Sequence, residues 1–108
     1  VGIHFATGEI IAHFDDDDLY APSYLTTMAG MLEKHPRVQA ITLSSWFVLE
    51  RNTCTWAVCD PAAHGLTCGL ELSDTQVRKE TYGYGFSYVY RREAGLDVWY
   101  PDINMGED

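Results

Sequence analysis

A short apolar run, Glu9-Ile10-Ile11-Ala12-His13-Phe14, lies between Gly8 and four consecutive aspartates, Asp15, Asp16, Asp17 and Asp18. An apolar run of this length, with glycine before it and a charge cluster after it, predicts a buried strand. Residues 1–8 read as the end of a helix or a loop entering that strand. Past the aspartates, Pro22 suits the first turn of a helix. Leu25, Met28, Ala29 and Leu32 then recur at i, i+3, i+4 and i+7, which marks one apolar face. Glu33-Lys34-His35 closes the helix and Pro36 stops it. A strand followed by a crossover helix predicts a parallel α/β sheet. In such sheets ligands bind beyond the carboxyl ends of the strands, which is where the aspartates fall.

The next segment, Val38 to Glu50, is rich in Val, Ile, Thr, Trp and Phe and reads as extended. Arg51-Asn52 interrupts it and Thr53 to Val58 resumes it, so a hairpin is expected. Trp46 and Trp56 are expected to face one another across it, either as packing or as a platform on which a ligand ring could stack. Residues 60–80 have weak periodicity and read as a loop, with one helical turn near Asp74 to Arg78. In Tyr82-Gly83-Tyr84-Gly85-Phe86-Ser87-Tyr88-Val89-Tyr90-Arg91-Arg92, the glycines permit close backbone approach, and Phe86 to Tyr90 reads as a strand. Neither phosphate-loop spacing is present.

Charge and length narrow the function classes. The chain has 108 residues and a formal net charge of −9, enough for one domain with one modest core. This excess of negative charge opposes nonspecific binding to nucleic acid or anionic lipid. It leaves open a phosphorylated ligand reached through a bridging cation. No apolar run has the length of a transmembrane helix. Cysteines fall at 54, 59 and 68 with His64 between them. That spacing is not the C-x2-C of common zinc sites, and an odd number does not close a disulfide framework; free thiols are expected.

Four adjacent carboxylates repel. At about 5 Å and an effective dielectric near 20, one pair costs roughly 3 kcal/mol. A fold tolerates this in water, by raising pKa values, or by binding a cation. If strand geometry continues through the run, Asp15 and Asp17 share one side and Asp16 and Asp18 the other. Two carboxylates on one side suit Mg²⁺ or Mn²⁺, with waters and substrate phosphates completing the shell. The alternative is a solvated acidic turn.

Ala6-Thr7-Gly8-Glu9-Ile10-Ile11, leading into Phe14-Asp15-Asp16-Asp17-Asp18 and Tyr20-Ala21-Pro22, resembles the D-x-D region of family 2 glycosyltransferases of the GT-A fold. Tyr100-Pro101-Asp102-Ile103-Asn104-Met105-Gly106-Glu107-Asp108 resembles the closing Glu-Asp motif of that family. The resemblance implies an α/β, Rossmann-like fold with a mixed, mostly parallel sheet and flanking helices. Residues 1–108 would be a single-domain fragment, central to C-terminal in the catalytic domain, lacking the N-terminal nucleotide-binding strands and inactive on its own. It further implies an inverting, hexosyltransferase-like enzyme with a nucleotide-diphosphate sugar donor, a hydroxyl acceptor and a Mg²⁺ or Mn²⁺ cofactor. Asp17 would be the direct metal ligand. Asp15 would contact metal, diphosphate or ribose, and Asp16 and Asp18 remain candidates for the same shell. Gly85 would line the donor-sugar and acceptor cleft. Asp108 would be the catalytic base, with Glu107 orienting the acceptor. A cytoplasmic or a membrane-associated location is compatible with the resemblance. The competing reading is a non-catalytic, cation-binding or acidic interaction domain on the same fold.

Overall fold

The computed structural model describes residues 2–61, 63, 75, 79 and 85–98. They fall into two compact units, one within Val1–Thr42 and Gly85–Asp108, the other within Leu43–Tyr84.

The first unit holds helix α1 (Gly2–Phe5), strand β1 (Ile10–Ala12), helix α2 (Tyr24–Lys34), strand β2 (Ala40–Ile41), strand β5 (Val89–Arg91) and helix α3 (Arg92–Asp97). Its sheet runs in the order β1-β5-β2. Both pairings are antiparallel, Ala12 and Ile41 each standing opposite Val89. This corrects the expectation of parallel pairing. β1 and β2 do point the same way, as a strand–helix–strand crossover requires. The slot between them is filled by β5, arriving from later in the chain in the opposite direction, so β1 and β2 are not bonded to each other. Among the described strands β1 has a single neighbour, and its three residues are half-buried rather than fully buried.

Helix α2 covers this sheet. Met28 and Leu32 are buried, as the apolar spacing predicts, but the third buried residue is Tyr24, while Leu25 is 49% exposed. The stripe therefore runs at i, i+4, i+8, which keeps side chains on one line of the helix. The helix begins at Tyr24, two residues later than Pro22 suggests, with Ser23 at its N-cap. It ends at Lys34, and the His35 amide bonds back to the Leu32 carbonyl. The Arg91 guanidinium donates to the same carbonyl at 2.7 Å and to the Val38 carbonyl at 3.0 Å. Arg91 thus ties the helix end to the sheet, satisfying carbonyls that a helix terminus leaves open.

The second unit is a hairpin of β3 (Trp46–Glu50) and β4 (Thr55–Cys59) joined by a turn at 51–54. Cys54 takes a positive φ of 51° to close it. The hairpin matches the sequence expectation, but its register does not. Trp56 stands opposite Leu49 and Trp46 opposite Cys59, so the two tryptophans are not partners. Cys54 is a free, exposed thiol. The helical turn expected at 74–78, Cys68 and His64 lie largely outside the described residues.

Candidate functional site

The acidic run begins three residues past the end of β1. His13 extends the strand by one bond, its amide donating to the Tyr88 carbonyl at 2.9 Å. The His13 ring packs edge-on against Tyr88 and Tyr90, and Nε2 lies 3.0 Å from the Tyr90 hydroxyl. Beyond His13 the strand stops, and residues 15–18 form a turn closed by a long 3.4 Å bond from the Asp18 amide to the Asp15 carbonyl. The alternation that would put Asp15 and Asp17 on one side of a strand therefore does not apply. A turn fans the four side chains outward, and all four aspartates are exposed. Water takes up the repulsion that an extended, paired strand would have concentrated.

Aromatic side chains seat this turn. The Phe14 ring lies 4.2 Å from Tyr20 and 5.7 Å from Tyr24, with Tyr20 and Tyr24 5.0 Å apart. The Tyr20 hydroxyl accepts from the Asp15 amide at 3.0 Å and donates to the Phe86 carbonyl at 2.7 Å. Tyr24 Oη, by contrast, is buried with no hydrogen-bond partner among the described residues. Sequence reasoning passed over Tyr20. The available signal was an aromatic with a polar tip placed just after a charged loop, a residue type that seeks a partner when buried.

Electrostatics follow this layout. Partial loss of hydration raises the Asp18 carboxyl above its ordinary value, and the charges of Asp17 and Asp15 raise it further. Burial raises the Tyr20 hydroxyl; the Asp15 amide opposes that shift, and the charges of Asp18, Asp15 and Asp17 add to it. Tyr24 is raised by burial, then by Tyr20.

The turn at 85–88 is joined to the acidic turn through Tyr20. The Tyr88 amide bonds to the Gly85 carbonyl at 3.4 Å, and the buried Ser87 hydroxyl lies 2.6 Å from Thr42 Oγ1. A Cβ at Gly85 would meet no atom of the described residues within 4 Å. The strand expected from Phe86 begins instead at Val89, because residues 86 and 87 are spent on the turn. The Arg91 guanidinium is committed to the carbonyls of Leu32 and Val38, as described above. The structure brings together Asp15, Asp16, Asp17, Asp18 and, through Tyr20, the Gly85 turn. Glu107 and Asp108 lie outside the described residues.

Among the described residues no three His, Cys, Asp or Glu side chains converge as a closed cation cage. The donor set here is the sparse kind, exposed carboxylate oxygens on one short turn, which suits a hard cation that keeps waters and shares a substrate phosphate. Among the described residues no helix is long and apolar enough to cross a membrane.

No curated protein and no solved structure matches the chain significantly. The family model for glycosyl transferase family 2 matches residues 1–96. The match spans β1, the acidic turn, α2, the hairpin and β5. The chain therefore belongs to glycosyl transferase family 2, and at the level of that family it is a glycosyltransferase.

Proposed function

We propose that the chain is catalytic-core sequence of a GT-A-type enzyme that moves a sugar from a nucleotide-diphosphate donor to an acceptor hydroxyl, inverting the anomeric carbon. The observation that carries this reading is the exposed acidic turn just past β1, cross-tied to the turn that bears Gly85. Family membership implies the donor and acceptor classes and a divalent cation as common equipment.

Asp17 and Asp15 would hold that cation, with Asp16 and Asp18 in reach of the same shell, because their carboxylates crowd one turn and face water. When bound, Mg²⁺ or Mn²⁺ neutralises charge on the departing diphosphate. Asp15, Asp16 and Gly85 border the nucleotide-sugar, Gly85 because no side chain of the described residues fills the space before it. Asp108 takes the acceptor proton as the acceptor oxygen bonds to the anomeric carbon, while the bond to the diphosphate oxygen breaks on the opposite face. A hydroxyl needs such a base because its own nucleophilicity is weak. Glu107 orients the acceptor.

Two substitutions test the division of labour. In the complete enzyme, Asp108→Asn should lower kcat by about 10²–10⁴-fold, the span usual for a positioned base, with nucleoside diphosphate binding unchanged. Asp17→Asn should lower transfer and metal-dependent nucleotide binding together. NMR of the product should show the opposite anomer to the donor; a retained configuration contradicts the proposal.

A further inference from the structure

We infer that Tyr20 is a positioning residue for the acidic turn, its hydroxyl fixing Asp15 relative to the turn at 85–88. This rests on the cation-binding reading above and adds a residue to it. The hydroxyl has two partners that sequence places 66 residues apart from one side and five from the other: it donates to the Phe86 carbonyl and accepts from the Asp15 amide. Asp15 in turn accepts from the Asp18 amide. The backbone bonds thus run from Phe86 through Tyr20 and Asp15 to Asp18. The residue just past the cluster reaches back to hold its first member.

The four carboxylates push this loop open, since like charges a few ångströms apart repel even in a high effective dielectric. Two hydrogen bonds from a ring wedged between Phe14 and Tyr24 oppose that spreading. A loop already closed presents its carboxylates to a cation without a further ordering cost. The neighbouring Tyr24 supplies an internal contrast. It sits in the same aromatic group, is 8% exposed, and has a hydroxyl without a partner among the described residues. Removing either hydroxyl leaves the rings in place, but only at Tyr20 does this release the Asp15 amide and the Phe86 carbonyl.

The test titrates Mn²⁺ by the loss of its free-ion EPR signal, on the wild type and on Tyr20→Phe, Tyr24→Phe and Asp17→Asn, with melting curves for each. Losing a net hydrogen bond should weaken Mn²⁺ binding by about 3–10-fold in Tyr20→Phe, with Tyr24→Phe at the wild-type value and Asp17→Asn without specific binding. If Asp17→Asn loses the ion and Tyr20→Phe binds as the wild type does, the positioning role is overturned and the functional reading stands. If the wild type and Asp17→Asn bind alike, the metal assignment fails and the role of Tyr20 with it. Equal weakening in Tyr20→Phe and Tyr24→Phe reduces the effect to general loosening of the aromatic group and also overturns it. Amide exchange on the wild type keeps the inference falsifiable should Tyr20→Phe not fold. The Asp15 amide should be protected although its residue is exposed, and exchange at the rate of an open loop contradicts the latch.

Discussion

Leu32 and Val89 in the β1-β5-β2 unit are 0% and 1% exposed, whereas Phe47 and Trp56 on the β3–β4 hairpin are 71% and 59% exposed. Both regions are rich in large apolar side chains, yet among the described residues only the first buries them. Helix α2 makes the difference. It closes one face of the three-stranded sheet and leaves Val89 flanked by Ala12 and Ile41 in the sheet plane. The hairpin has paired backbone along its full length but presents Phe47, Trp56 and Val58 outward. Position is therefore set by side-chain packing in one unit and by backbone pairing in the other. The acidic turn belongs to the packed unit, and its direction is inherited from β1, from His13 and from Tyr20.

The strongest way to break this comparison is to cut into each region equally. Leu32→Ala should cost about 2–5 kcal/mol, as for a fully buried leucine with a cavity left behind. Trp56→Ala should stay within about 0.5 kcal/mol, as for a surface position away from special features. Chemical denaturation of both variants measures this, and equal losses would refute the contrast.

A smaller effect is expected at Gly95 on α3. A Cβ there would lie 2.5 Å from Ile3 Cδ1 and nearer still to the Tyr90 ring. The Tyr90 ring is held against His13 by edge-on packing and by its hydroxyl, so it cannot give way without loss, and Gly95→Ala should cost about 1–3 kcal/mol. A thermal melt indistinguishable from wild type would show that α1 and α3 are not packed on Tyr90.

The smallest effect concerns charge. Asp18 is raised from its ordinary value of 3.8 by partial loss of hydration and by Asp17 and Asp15. Its ionised form is thus disfavoured in the fold. That penalty is complete above the folded-state pKa, shrinks as pH falls through it, and is gone below the ordinary value. With a chelator present, Asp18→Asn should melt slightly higher than wild type at pH 7, and the two should converge below about pH 3, under the reference aspartate pKa. A lower melting temperature at pH 7 would mean that the carboxylate makes a stabilising contact instead.

Periodicity carried the packed unit well and the site less well. The i, i+3, i+4, i+7 pattern located α2, and Pro36 marked its end, because a helix must turn one stripe inward. It selected Leu25 over Tyr24 because leucine scores as apolar and tyrosine as mixed, whereas the tyrosine ring is what fills the space beside Phe14 and Tyr20. Strand direction was not legible. A β1–α2–β2 crossover reads as parallel, and nothing local announces that β5 will insert between its strands. The Asp run was legible as a charge cluster after a strand, and its turn only as the alternative to continued alternation, since alternation assumes that a partner strand continues. Arg91 illustrates the remaining gap: a basic residue in an acidic chain reads as a surface charge in balance with it, while the guanidinium bonds to two backbone carbonyls that no sequence pattern marks.

The central claim is that the acidic turn takes a cation together with a nucleoside diphosphate, and one titration addresses it directly. Mn²⁺ affinity is measured in the absence and presence of a nucleoside diphosphate, on the wild type and on Asp17→Asn. The account predicts that the nucleotide tightens Mn²⁺ binding by about 5–150-fold, the range of ordinary coupling between two ligands, and that Asp17→Asn removes the coupling. The same Mn²⁺ affinity with and without the nucleotide, or a coupling that survives in Asp17→Asn, would contradict it.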